Sequence, residues 1–155
     1  MNEEPIINRM RLVIQRVKEA QVRVAGQIVG QITGGALFFL GVARGDTRFS
    51  ADYLVKKVTE LRIFEDAQGK MNVSAMETGA QFLVVSQFTL YGNCDHGRRP
   101  SFDEAADPVL GEELYNYFVT QLKATKAKVE TGVFRAMMEV CLTNDGPVTF
   151  IVDSK

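Results

Sequence analysis

The chain has 155 residues, enough for one domain with its own hydrophobic core. Its composition is that of an ordinary globular protein, with 46% hydrophobic and 24% charged residues, and its formal net charge is −1 at pH 7. This charge argues against a protein that coats nucleic acid non-specifically, because such a protein needs a basic face, but it does not exclude one that grips a single RNA end. The longest apolar run, ALFFLGVA, is too short to span a bilayer, so no membrane partner is predicted.

Cys94 and Cys141 are far apart and form no CxxC motif, which favours a reducing cytoplasm.

The amino-terminal third is predicted to begin with an extension and then a group of strands. Residues 1–9 contain no apolar signal core and are predicted to form a weakly ordered extension, so residues 10–155 form the predicted domain. Stretches rich in Val and Ile predict strands near 10–18, 21–25 and 27–33, with a hairpin turn at Ala25-Gly26.

The middle of the chain is predicted to form a helix between strands. A continuous apolar run predicts a buried strand near 35–43, and Asp46 or Thr47 then caps a helix. RIF (62–64) is a short predicted strand, EDAQGK is a turn, and the strongest strand signal covers 80–90. A polar loop follows it. The apolar face of the predicted helix consists of Ala51, Leu54, Val55, Val58 and Leu61.

The carboxyl-terminal third is predicted to form a second helix and two strands. Asp107 is the expected cap and Pro108 the first helical residue. Strands are predicted near 137–143 and 147–153, joined by an NDGP turn. Because strands dominate and adjoin in sequence, we expect an α+β fold. It is a single domain of mostly antiparallel sheets that form a barrel-like core with two main helices.

The sequence offers few groups for acid–base or metal chemistry. His96 is the one histidine, and HExxH, Cys/His clusters, the P-loop lysine motif and GxGxxG are all missing. We therefore predict no metal site and no cofactor. A Ser-His-Asp triad would have to use His96, which is expected to be a solvated loop residue.

Two short motifs stand out, and each has an ordinary structural interpretation. The first motif, SQFTL (86–90), puts polar residues at the end of an apolar strand, where hydroxyls often bond to nearby backbone. The second motif, NDGPVTF (144–150), is compatible with a turn followed by an edge strand, where proline is tolerated. Neither motif alone would indicate catalysis.

Together the two motifs resemble the signature motifs of the D-aminoacyl-tRNA deacylases. The resemblance runs from Met10 almost to the carboxyl terminus and includes further stretches of sequence. These are IQRV (14–17), GGALFFLGVARGDT (34–47), RIFEDAQGKMN (62–72), VVSQFTL (84–90) and RRPSF (98–102).

The resemblance implies a homodimeric hydrolase that cleaves the ester between a D-amino acid and the 3′-terminal ribose of tRNA, and that also removes glycine. In the family, the glycine–proline peptide is cis and reaches into the active site of the other subunit, which implies this role for Gly146-Pro147. A cis bond would turn two carbonyls to the same side. They could then receive the substrate's ammonium group and exclude an L side chain. Such a mechanism would select chirality without a side-chain pocket.

The resemblance also implies roles for individual residues. The reaction is expected to depend on the substrate's ribose 2′-hydroxyl, on enzyme backbone groups and on positioning, so that no side chain need be a covalent nucleophile. The predicted catalytic residues are Ser86, Gln87, Phe88 and Thr89. The residues predicted for substrate binding and chiral selection are Gly146, Pro147, Arg16 and Asn144. Candidates for tRNA phosphate contacts, which could equally be ordinary solvated charges, are Arg98, Arg99, Lys123, Lys126 and Lys128.

Two features depart from the pattern of the family. Arg135 stands in GVFRAMMEV where the family usually has glycine, and the extension 1–9 is unusual.

One rival function is a nucleic-acid-binding module that keeps the fold but does no hydrolysis. Another is an editor that prefers glycyl- or L-alanyl-tRNA, although SQFTL together with GPVT favours the D-specific branch.

Overall fold

The structure, a computed structural model, describes residues 9–155. The predicted extension 1–9 therefore lies outside the described residues, apart from Arg9. The described part of the chain contains eight strands, three α-helices and one 3-10 helix. In chain order these are β1 (Arg11–Val24), β2 (Gln27–Ile32), β3 (Gly35–Gly41), α1 (Arg48–Glu60), β4 (Phe64–Glu65), β5 (Met71–Val73), α2 (Ala75–Thr78), β6 (Gln81–Ser86), the 3-10 helix (Phe88–Tyr91), α3 (Pro108–Ala124), β7 (Val129–Thr131) and β8 (Glu139–Asp153).

Strand β1 organises the sheet because both of its edges are paired. β3 pairs antiparallel with its first half, and β2 pairs antiparallel with its second half. β8 runs antiparallel to β1 from Arg11↔Asp153 to Arg23↔Glu139. The predicted division into strands near 10–18 and 21–25 is wrong. Two exposed residues, Lys18 and Glu19, interrupt the alternation of buried side chains, but the neighbouring strands carry β1 through as one element.

The sheet continues from β3 through parallel strands and nearly closes on itself. β6 pairs parallel with β3, and β7 pairs parallel with β6. β2 then comes close to β7, since a β-carbon added at Gly30 would lie 2.4 Å from the Thr131 carbonyl oxygen. The predicted α+β class is confirmed, with mostly antiparallel strands around a barrel-like core and two main helices.

The two main helices cover one face of the sheet. Thr47 caps α1, and Asp107 caps α3 by accepting a hydrogen bond from the Leu110 N–H at 3.0 Å, with Pro108 at the first turn. These caps and the helix starts agree with the predictions. The main core lies between the helices and the sheet, around Phe38, Phe82 and Phe118, which are at most 1% exposed. No helix within residues 9–155 is long and apolar enough to cross a lipid bilayer.

Two predicted strands differ from the structure at the motifs. The strand predicted over 80–90 ends at Ser86, and the chain then turns into the 3-10 helix. The strands predicted at 137–143 and 147–153 are one strand, β8, so NDGP does not form a hairpin turn. Both segments of β8 pair with the same distant strand, β1, which a local turn signal cannot reveal.

Candidate functional site

The first motif forms a tight turn at the carboxyl end of β6. Ser86 pairs with Leu40 of β3, and the Gln87 N–H donates to the Leu40 carbonyl at 2.8 Å. The chain then curls, because the Leu90 N–H donates back to the Gln87 carbonyl at 3.3 Å. The turn packs closely on Gly41, where an added β-carbon would lie 2.9 Å from the Tyr91 ring. Because Gly41 has no side chain, the polar segment after Ser86 can pack over it and turn away from the strand.

This turn presents main-chain donors at the surface. No side chain caps the 3-10 helix, and the N–H groups of Phe88 and Thr89 donate to no acceptor within residues 9–155. The Gln87 side-chain amide donates to the Thr89 hydroxyl, which orients both polar side chains. The Phe88 ring is 57% exposed and meets the Phe102 ring edge-on at 5.1 Å between centroids. Unpaired main-chain N–H groups beside an open surface are the kind of donor that can stabilise a developing oxyanion.

The second motif forms a bulge in β8. Gln15 pairs with Thr149 and Val17 pairs with Asn144, so residues 145–148, here called the bulge, face the single residue Arg16. The Asn144 side-chain oxygen accepts the Val148 N–H at 2.9 Å and closes the bulge from within. Such a side-chain bond explains why the motif begins with Asn.

The tip of the bulge is main chain that faces outward. Gly146 and Pro147 are exposed, and the peptide bond between them is cis. Gly146 has a φ of +128°, and an added β-carbon would lie 2.7 Å from the Val148 side chain. The position therefore requires glycine both for its conformation and for its space.

Arg16 holds the bulge from below. Its side chain is 5% exposed. Its Nε donates to the Asp145 carbonyl at 3.2 Å, and its Nη1 donates to the Ile63 carbonyl at 2.9 Å. The carboxylates of Asp145 and Glu65 each lie 3.4 Å from the guanidinium. Sequence analysis predicted a role for Arg16 but missed Asp145, Ile63 and Glu65, although the stretches that contain them were part of the resemblance.

A single chain does not bring the two motifs together. Arg16 aligns with Ala36 and Phe82 across the sheet, whereas Ser86 is four residues farther along β6. The bulge is also three strands away, along the order β6, β3, β1, β8. The motifs are therefore roughly 13 Å apart along the strands and about 14 Å apart across them, by standard sheet spacings.

The predicted RNA-contacting residues fall into two separate groups. Arg98 and Arg99 are exposed in the loop that follows the 3-10 helix, at the same end of the sheet as Ser86. Lys123 is exposed in the last turn of α3, and Lys126 and Lys128 are exposed between α3 and β7, where the Lys128 carbonyl accepts the Phe82 N–H. The lysines thus lie at the opposite end of β6 from Ser86.

An open cavity of about 490 Å³ adjoins the first motif. Its wall includes the end of the 3-10 helix, the Arg11–Asp153 ion pair at 2.8 Å and Glu104. The Tyr91 hydroxyl at its edge donates to the Gly41 carbonyl at 3.2 Å, and burial raises the pKa of this phenol. A cavity of this size is in the range of small-ligand sites.

The single histidine of the sequence lies outside both motifs. His96 is exposed in the loop at 92–101. Among residues 9–155, no three His, Cys, Asp or Glu side chains come close enough together to hold a metal ion. Apart from the ion-paired Arg16, Asp145 and Glu65, the polar groups of the two motifs are thus mainly amides, hydroxyls and main-chain atoms.

Comparison with known proteins covers almost the whole chain. The family model for D-Tyr-tRNA(Tyr) deacylase matches residues 13–153. A D-aminoacyl-tRNA deacylase of Halothermothrix orenii is 57% identical over 145 residues, which cover 94% of this chain and 97% of the relative. A D-aminoacyl-tRNA deacylase of Desulfatibacillum aliphaticivorans is 58% identical over 146 residues, 94% of this chain and 100% of the relative.

Solved structures share the same fold. The c-Myc DNA Unwinding Element Binding Protein is 37% identical, with a TM-score of 0.88, and the match covers 94% of this chain and 99% of that one. A probable eukaryotic D-amino acid tRNA deacylase has a TM-score of 0.85 at 16% identity, with the same coverage, and shows the fold alone. The fold and the two motifs are therefore those of a class of mixed α+β proteins that share this barrel-like sheet. The chain belongs to the D-Tyr-tRNA(Tyr) deacylase family.

Proposed function

We propose that this protein is a D-aminoacyl-tRNA deacylase, a hydrolase that cleaves the ester between a D-amino acid and tRNA. The observation that carries the proposal is the family match over residues 13–153, together with relatives named for this activity at 57% and 58% identity. The products are free D-amino acid and tRNA, so the enzyme keeps D-residues out of translation. Glycyl-tRNA is expected to be a second substrate, because glycine has no side chain to reject.

The chemistry assigned to the first motif is positioning and oxyanion stabilisation. In the proposed reaction a water oxygen attacks the ester carbonyl carbon, the bond to the ribose 3′-oxygen breaks, and that oxygen takes a proton. The free N–H groups of Phe88 and Thr89 can donate to the carbonyl oxygen as it becomes negative. Gln87 and Thr89 position the substrate through their hydrogen-bonded side chains, and Ser86 fixes the start of the turn. The substrate's own ribose 2′-hydroxyl is the proposed partner for proton transfer.

The bulge is the proposed chiral selector. Gly146 and Pro147 offer main-chain atoms at an exposed tip, and Arg16 and Asn144 fix that tip from behind. A selector made of main chain would contact the amino acid at its α-carbon and ammonium group. It would therefore distinguish D from L without discriminating between side chains.

A homodimer is proposed because the proposed active site needs both motifs side by side, and a single chain does not bring them together. The two motifs lie three strands and four residues apart in one subunit. Within residues 9–155, β8 pairs only with β1, which leaves its other edge free, and two apolar residues of this strand, Ile151 and Phe150, are 68% and 37% exposed. A second copy could cover these apolar side chains and place its bulge beside the first motif.

The remaining assignments concern the RNA and the compartment. Arg98 and Arg99 are proposed to contact phosphates near the tRNA 3′ end, since they lie at the same end of the sheet as Ser86. Lys123, Lys126 and Lys128 could contact only more distant phosphates. The cytoplasm, where aminoacyl-tRNA is used, is the proposed location.

One rival function has an observation in its favour. The c-Myc DNA Unwinding Element Binding Protein, which shares the fold, is named for binding DNA. A binding module without hydrolysis remains a second candidate, although a net charge of −1 argues against it.

Incubation of the purified protein with D-aminoacyl-tRNA separates these functions. The deacylase releases free amino acid and leaves intact tRNA, at a rate well above spontaneous hydrolysis. The binding module retains the tRNA with the ester intact. The second result would refute the proposed function.

A further inference from the structure

The segment RIFEDAQGKMN (62–72) has no part in the chemistry assigned above, yet it is built as a rigid hairpin. The Asp66 carboxylate accepts the N–H groups of Gln68 and Lys70 at 2.9 and 3.0 Å. The Asp66 N–H also donates to the Lys70 carbonyl at 2.8 Å. These main-chain bonds lower the pKa of the Asp66 carboxyl, because they stabilise its charged form. Such a turn holds β4 and β5 in one arrangement.

The hairpin meets the bulge through one side chain, Arg16. The three guanidinium nitrogens divide between the two elements, with Nε on Asp145, Nη1 on the Ile63 carbonyl and Nη2 on Glu65. Ile63 is 7% exposed and belongs to the main core, so its carbonyl is a fixed point. A planar guanidinium that is held at one end cannot rotate without losing the bonds at the other. The position of the hairpin therefore sets the position of Asp145 and, through it, of Gly146.

The charges also require this arrangement. The Arg16 side chain is 5% exposed, and a buried cation needs partners. Two carboxylates supply them, Glu65 from the hairpin and Asp145 from the bulge, each at 3.4 Å. Glu65 has a side chain that is 57% exposed, so it can be changed without opening the core.

We propose that the β4–β5 hairpin is a positioning element for the Gly146-Pro147 bulge, and that Glu65 is the positioning residue that acts through Arg16. The effect on catalysis rests on the proposed function, whereas the mechanical link between hairpin and bulge does not. The two can therefore be tested separately.

The mechanical link is tested by amide hydrogen exchange at Val148, whose N–H closes the bulge on Asn144. Glu65→Gln removes the charge and keeps the size of the side chain. We expect exchange at Val148 to become about threefold faster or more, the scale of one partly exposed ion pair. Glu60→Gln, an exposed change at the end of α1, is the matched control and should leave exchange unchanged. Equal exchange in wild type and Glu65→Gln would overturn the proposal, whatever the protein hydrolyses.

The catalytic consequence is tested on D-aminoacyl-tRNA. Glu65→Gln should lower kcat by about tenfold and leave the KM for the tRNA and the unfolding temperature near wild type, because a misplaced selector still allows RNA binding. In an Arg16→Lys background, Glu65→Gln should lower kcat by less than a further twofold, because its partner in the link is already lost. Fully additive losses, or a loss confined to KM, would overturn the role of Glu65. A wild-type protein without hydrolysis would instead refute the proposed function and leave the exchange test to decide the link.

Discussion

At the residue scale, the backbone at position 146 sets two requirements that only glycine, among the amino acids, meets. Its φ of +128° is strained for any L side chain, and a β-carbon there would lie 3.3 Å from the Arg16 guanidinium and 3.0 Å from the Val148 nitrogen. Relief of these contacts would move the tip of the bulge. The residue that is proposed to select chirality is thus also one that cannot carry a side chain without a shift of its neighbours.

Gly146→Ala is therefore expected to lower D-aminoacyl-tRNA hydrolysis by about 100-fold, the scale reached when a group moves by roughly 1 Å from its working position. Single-turnover deacylation measures this loss. Gly26→Ala is the matched control, because Gly26 also has a positive φ, +78°, but nothing lies within 4 Å of an added β-carbon. Equal activity of Gly146→Ala and wild type would contradict the assigned role of the bulge.

Asp46 is a buried carboxylate that should make stability depend on pH. It is 6% exposed and accepts the Ala43 N–H at 2.6 Å. Burial raises its pKa from 3.8 to about 6, which outweighs the main-chain bonds that lower it. Between these values the folded protein binds more protons than the unfolded chain. Stability from this group is therefore greatest below about pH 4 and is lost as the pH rises to about 6.

The measurement is the free energy of unfolding in urea at pH 4 and pH 7, for wild type and Asp46→Asn. On going from pH 4 to pH 7, wild type should lose about 2–3 kcal/mol relative to the variant, which cannot titrate at this position. The comparison removes the contribution of the other carboxylates. Parallel pH profiles for the two proteins would show that Asp46 titrates normally.

At the element scale, the connection between β7 and β8 contains a residue in an unfavourable conformation. Arg135 has a φ of +66° in the turn closed by the Ala136 N–H on the Val133 carbonyl at 3.1 Å. The adjacent Phe134 packs against Tyr115 of α3, with 5.9 Å between ring centroids, and this contact fixes the turn. The glycine usual in the family resemblance fits this left-handed position, and arginine does not.

Arg135→Gly should raise the free energy of unfolding by about 0.5–1 kcal/mol, because relief of the left-handed strain exceeds the entropy that glycine loses on folding. Arg135→Ala keeps the β-carbon and should give no such gain. Thermal and urea unfolding of both variants test this. A gain with alanine equal to that with glycine would mean that the charge of Arg135, and not its conformation, is the source.

Elements with strong local signals were predictable, and those that depend on distant partners were not. The caps at Thr47 and Asp107 and the apolar face of α1 follow from neighbouring residues, so prediction and structure agree. The bulge at NDGP does not, because Arg16 lies 129 residues from Asp145, and only pairing of β8 along β1 reveals that one residue faces four. The 3-10 turn after Ser86 likewise depends on its packing over Gly41, which no local pattern shows.

At the scale of the whole molecule, we expect each active site to draw on two subunits. The first motif and the bulge are far apart in one chain, so Gln87 and Gly146 of the same subunit should belong to different sites. A heterodimer of Gln87→Ala and Gly146→Ala subunits would then have one intact site and one doubly altered site.

Such a heterodimer, purified with two different tags, should regain about half of wild-type activity, whereas each variant homodimer should be nearly inactive. Pairing Gln87→Ala with the Gln87→Ala/Gly146→Ala double variant is the control, since it leaves no intact site and should stay inactive. An inactive mixed pair of single variants would show that both residues act within one chain.

Hydrolysis that is selective for the D configuration can be measured with matched substrates. The same tRNA is charged with the D and the L form of one amino acid, and ester loss is followed with the purified protein and without it. We expect rapid loss of the D ester, with the L ester decaying at its spontaneous rate, and the same preference for a second amino acid of different size. Equal hydrolysis of both forms, or loss of neither, would contradict it.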